Sequence, residues 1–179
     1  MQTSIIQTFR CGNEEERKEG YENFASINDF PSVTLQKIID LPFLPVKGLA
    51  IRTQPAFFRW GVAELGLRGE ERVNDVMYLV EEGLILVSFR PVCLSIKDPN
   101  KYWEVIQTYI NCGWKLNTSA YFKDEFDFAY EELKEKSKFI EQHYAVEMDG
   151  HMFSVDKFEL KVLKMSNASF KLHDFEIKQ

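Results

Sequence analysis

The segment Leu84-Ile-Leu-Val-Ser-Phe89, bounded by Gly83 and Pro91, constrains this chain more than any other. An almost unbroken apolar run of that length between two breakers is the pattern of a strand buried on both faces. Such a strand, over 84–90, belongs in the middle of a sheet. The rest of the chain must therefore supply its neighbours and its cover.

Strand partners come from both sides. Residues 4–9 read as a short strand that ends at Gly12-Asn13, and Leu49 to Ile51 as another that Pro55 stops. Residues 56–69 read as irregular strand, because Phe58, Trp60 and Val62 alternate while Gly61, Gly66 and Gly69 interrupt. At the other end of the chain, Asp149-Gly150 between Tyr144–Met148 and His151–Val155 is a strong hairpin signal. It sets His151 opposite Met148, on the face of Val146 and Phe153. Phe158, Leu160 and Val162 alternate with charged residues, and Phe170, Leu172, Phe175 and Ile177 supply a last strand. These segments predict a C-terminal antiparallel β-meander.

Helical patterns interleave with them. Asn13 caps a charged helix with Glu14, Glu15 and Glu16 in its positive first turn, and Ser32 opens a second one through Asp40 with Leu35, Ile38 and Ile39 on one face. Val73, Val76, Met77 and Val80 fall at i, i+3, i+4 and i+7 before Gly83, which predicts a helix at about 70–82. A hairpin turning at Glu82-Gly83 competes with that reading. The best-marked helix runs over 99–112, with proline at its first position, an apolar stripe of Tyr102, Val105, Ile106, Tyr109 and Ile110, and Gly113 at its end. A longer one is predicted at 122–142, about 30 Å at 1.5 Å per residue, lying over the meander. The fold class is α+β, with a mixed sheet around the buried central strand.

Of the 179 residues, 45% are hydrophobic and 28% charged, which fits a chain that buries a core as one domain over 1–179. The formal charge of −6 disfavours a nucleic-acid binder. Its cations are unevenly placed: all seven arginines precede Pro91, and twelve of the lysines follow it. A subdomain boundary near Pro91 is the corresponding expectation. Cys11, Cys93 and Cys112 are widely spaced with no CxxC pair, which argues against a disulfide framework and a cysteine-rich zinc site. With no long apolar run and no signal-like N-terminus, the expected location is cytoplasmic, away from membranes.

Three sets of side chains invite a functional reading. Arg52, Arg59, Arg68 and Arg72 surround Trp60 and two phenylalanines, and guanidinium forks among rings suit an anionic small molecule or nucleotide. Glu64, Glu70 and Glu71 in the same stretch offer plain ion pairing instead. Asp124, Asp127, Glu131 and Glu135 fall on one stripe of the long helix and could steer a basic protein partner, although neighbouring lysines also make that stripe an ordinary solvated face. Cys93 or Cys112 with His143, His151 or His173 would be needed for thiol chemistry, but both cysteines read as small core residues. No HExxH or GxSxG motif is present, and neither cofactor nor metal is expected. The reading that results is a non-enzymatic interaction protein of inhibitor, immunity or adaptor type, with a homodimer allowed. It predicts a flat or convex apolar patch rimmed by carboxylates.

Overall fold

The computed structural model describes residues 2–12, 15–16, 30–52, 70–80, 83–94, 99–117 and 143–173. Their fold is α+β, and contacts divide the chain into two units, 1–117 and 118–179. The change from arginine to lysine near Pro91 lies inside the first unit.

The first unit is built on a seven-stranded sheet. Its strands are β1 (Gln2–Cys11), β2 (Ser32–Asp40), β3 (Ala50–Arg52), β4 (Glu70–Leu79), β5 (Leu84–Phe89), β6 (Val92–Leu94) and β7 (Lys115–Leu116). The order is β3-β4-β5-β1-β2-β7, with β6 continuing beside β1. Pairings of β1 with β5 and β6 are parallel and the rest antiparallel, so the sheet is mixed. β5 stands mid-sheet, as its apolar run requires. Ile85, Val87 and Phe89 are buried, whereas Leu84, Leu86 and Ser88 on the opposite face are half-buried.

Alternation along β1 sets the inner face: Thr3, Ile5, Gln7, Phe9 and Cys11 are all buried. Helix α1 (Pro99–Asn111) covers it. Tyr102, Val105, Ile106 and Tyr109 are buried, Tyr109 meets Phe9 edge-to-face at 4.7 Å, and the Tyr102 hydroxyl donates to the Phe9 carbonyl at 3.3 Å. Gly113 (φ 84°) ends the helix in a Schellman motif. The N–H of Trp114 bonds the Tyr109 carbonyl at 3.1 Å, that of Gly113 the Ile110 carbonyl at 2.8 Å, and the Trp114 and Tyr109 rings meet at 5.4 Å. Gln7 is a polar member of this core. One residue is inserted where β5 passes into β6, and the Gln7 side-chain amide donates there to the Arg90 carbonyl at 2.8 Å.

Two expected helices are strands. Residues 32–40 form β2, with Val33 and Leu35 buried on the inner face and Ile38 exposed on the outer one. The alternation was hidden because Lys37 occupies an inner-face position opposite Ile5. Residues 70–79 form β4, hairpinned to β5, so the helix at about 70–82 is replaced by its competitor. A bulge at Asn74 explains the helical spacing: Val73 pairs with Phe89 and Val76 with Val87, so residues three apart share the inner face.

The second unit carries a separate three-stranded antiparallel sheet. β8 (His143–Met148) and β9 (His151–Asp156) join through Asp149 (φ 51°) and Gly150 (φ 80°), the two left-handed residues of a type I′ turn. His151 faces Met148, as the hairpin register requires. Residues 157–165, where a meander strand was expected, form helix α2 (Lys157–Met165). Asp156 and Glu159 cap its start reciprocally, and Leu160, Val162 and Leu163 are buried. β10 (Lys171–His173) then returns to β8. The expected helices at 13–20 and 122–142 fall outside the described residues, apart from helical Glu15 and Glu16.

Candidate functional site

The outer face of the first sheet, opposite α1, is where unexplained apolar exposure gathers. Register places Ile38, Ser4, Leu86 and Met77 side by side across β2, β1, β5 and β4. Ile38 is 53% exposed and Met77 39%, while Leu86 between them is half-buried. Ser4 is buried, and its hydroxyl oxygen has no hydrogen-bond partner among the described residues. Exposed carboxylates flank the row diagonally: Asp40 lies two residues beyond Ile38 on β2, and Asp75 two residues before Met77 on β4. Tyr78 (59% exposed), in register with Ile85 of the inner face, and Val80 (76%) in the turn do not belong to this row.

None of these residues stood out in the sequence as a site. Helices over 32–40 and 70–82 would put Ile38 and Met77 on apolar stripes and bury them. The alternation of Val33 and Leu35 with polar neighbours, and the NG-free but Gly83-marked turn of β4 and β5, are the signals that place them on strands.

The predicted arginine cluster is only partly visible. Arg52 and Arg72 lie on neighbouring strands, Arg52 in register with Glu70 and Arg72 with Ala50. The exposed Arg72 donates through Nη1 to the Gly48 carbonyl at 3.2 Å, tying the β2–β3 connection to β4. Arg59, Trp60 and Arg68 lie outside the described residues, as do Asp124, Asp127, Glu131 and Glu135.

In the second unit, Glu147 on β8 accepts from His173 Nε2 at 2.9 Å and pairs with Lys171 Nζ at 3.4 Å, both on β10. Hydrogen bonding to His173, then to Lys171, holds the Glu147 carboxyl below its usual range. These contacts fasten an edge strand. The opposite shift occurs at Glu159, where burial raises the carboxyl to about 7, with the Asp156 charge adding to it and the Asp156 N–H opposing it. All three cysteines belong to the first unit and all three histidines to the second, so within either unit no thiol meets an imidazole. Among the described residues no group of three or more His, Cys, Asp or Glu side chains is placed to hold a metal ion, and no helix is long and apolar enough to cross a membrane.

No protein-family model matches the chain, and no match is found among curated proteins or solved structures.

Proposed function

We propose that the chain is a non-enzymatic protein–protein interaction module of inhibitor, immunity or adaptor type, docking through the outer face of its first sheet. The carrying observation is the exposed row of Ile38 and Met77 between Asp40 and Asp75. An apolar centre with a charged rim is the anatomy of a protein interface. The partner that fits presents an apolar anchor flanked by basic side chains. The acidic stripe of Asp124, Asp127, Glu131 and Glu135 belongs to the same reading as a steering surface for a basic partner. A cytoplasmic setting goes with it, supported by three free cysteines.

The alternative, an anionic ligand held by Arg52, Arg59, Trp60, Arg68 and Arg72, is less well supported. Arg72 already bonds the Gly48 carbonyl.

The test begins by isolating a binding partner, purifying it and measuring its affinity for the chain and its variants. Ile38→Asp and Met77→Asp should each weaken binding by about tenfold or more, the scale of an interface anchor. Asp40→Lys with Asp75→Lys should slow association and reverse its salt dependence. Affinity unchanged in Ile38→Asp and Met77→Asp would rule out this face. Asp127→Lys with Glu131→Lys tests the stripe in the same assay. Sedimentation of the chain alone, before and after Ile38→Asp, distinguishes a second copy as the occupant.

A further inference from the structure

We infer that the other end of this outer face is a binding site for a phosphoryl group, held by Arg10 and Arg90 over the hydroxyl pair of Thr8 and Thr34. The inference is independent of the protein-docking reading, because it rests on different residues.

The backbone brings these groups together. On β1, alternation sets Thr8 and Arg10 on the outer face, next to one another along the strand. Thr34 of β2 lies directly across from Thr8, and their Oγ1 atoms are 3.0 Å apart. One hydroxyl donates to the other, so the acceptor keeps its own proton for a third group. On the opposite side of β1, register runs from Ile6 beside Ser88 to Phe9 beside Val92, so Arg90 and Pro91 share the position beside Thr8. Strands are spaced about 4.8 Å apart and alternate residues about 6.7 Å along a strand. Two flexible guanidinium groups rooted that closely reach a single tetrahedral oxyanion.

The two arginines are available for it. Both are exposed, and among the described residues neither guanidinium makes a hydrogen bond or an ion pair. Asp75, beside Ser88 in register, does not neutralise Arg90 by ion pairing. The framework beneath is fixed: the buried Gln7 amide holds the Arg90 carbonyl at 2.8 Å, so the backbone carrying Arg90 is anchored before any ligand arrives. Forked donors of this kind bind phosphate in two-point geometry, and a hydroxyl adds a further donor.

The exposed Cys93, across from Arg10 in the β1–β6 pairing, provides a built-in reporter. Calorimetric titration of the full chain at low ionic strength with inorganic phosphate, pyrophosphate and O-phosphoserine should give saturable binding. Phosphate should also slow alkylation of Cys93 by iodoacetamide. Arg10→Ala and Arg90→Ala should each weaken binding about tenfold while leaving the melting curve unchanged, since both side chains are exposed. Arg10→Lys and Arg90→Lys keep the charge and lose the fork, and should fall between. Tighter binding of pyrophosphate than of O-phosphoserine assigns a diphosphate ligand, and the reverse assigns a phosphate ester. A flat isotherm with no protection of Cys93, or an affinity unchanged in the double alanine variant, overturns the inference.

Discussion

Lys37 of β2 donates through Nζ to the main-chain carbonyl of Cys112, 75 residues along the chain at the C-terminal end of α1. A cation at an inner-face position thus meets the negative end of a helix dipole and one of its orphan carbonyls. Burial lowers the Lys37 ammonium from its ordinary pKa, and the charge of Cys112 partly restores it.

Replacing Lys37 by methionine keeps the stem and removes the donor. The expected loss is about 1–2 kcal/mol of unfolding free energy, measured by chemical denaturation. An unchanged midpoint would show that the contact contributes nothing.

Gln7 supports a second prediction. Gln7→Leu leaves the Arg90 carbonyl without its side-chain donor where β5 passes into β6, at a cost of about 1–3 kcal/mol. Gln7→Glu should cost more at neutral pH, because a carboxylate would face the Arg90 and Thr8 carbonyl oxygens that the amide now serves. That excess should shrink on acidification, as the protonated acid regains a donor. Denaturation at two pH values separates the two variants.

Glu159 links the second unit to pH. Its folded pKa of about 7 lies above the ordinary 4.5 of a glutamate, so between those values the folded state binds the proton more tightly. The associated stability is fully present below about pH 4.5 and is lost as pH rises through about 7, by up to about 3 kcal/mol. Glu159→Gln preserves an acceptor for the Asp156 N–H and should flatten that slope. A pH series of thermal melts on both proteins decides it.

The helix ends make a paired prediction. Gly113 and Asn167 (φ 51°) are both left-handed and both close Schellman motifs, with the N–H of Ala168 reaching the Leu163 carbonyl at 3.3 Å in the second. A Cβ at Gly113 would meet only Lys37 atoms at 3.6 Å and beyond, so Gly113→Ala should cost about 1–2 kcal/mol through backbone strain alone. Asn167→Gly should be neutral or slightly stabilising. Calorimetric melts test both signs.

What was legible in the sequence followed from local chemistry. Gly83 and Pro91 delimited β5, Pro99 and Gly113 delimited α1, and Asp149-Gly150 fixed the β8–β9 register. Errors arose where a distant contact reset the pattern. Lys37 breaks the alternation of β2 because its partner is a helix end far along the chain. The Asn74 bulge gives β4 a three-residue spacing that imitates a helix. Against the strand expected at 158–162 stands a local signal, since Asp156 and Glu159 spell a capping box. The candidate site was missed for the same reasons, as Ile38 and Met77 sit on the two misassigned strands. The placement of Arg10 and Arg90 on either side of Thr8 follows from the parallel register of β1 with β5 and β6, which no local signal carries.

The bulge at Asn74 has a consequence for how such a surface changes over generations. Deleting Asn74 would leave Asp75, Val76 and Met77 on the faces they now hold, whereas straightening the bulge at constant length would slip the pairing by one residue, turning Met77 and Leu79 inward and sending Val76 and Tyr78 to the opposite side. A substitution that abolished the bulge, with the length of the strand unchanged, would exchange one recognition surface for another. The bulge, more than the length of this strand, is therefore an inherited specificity determinant in its own right.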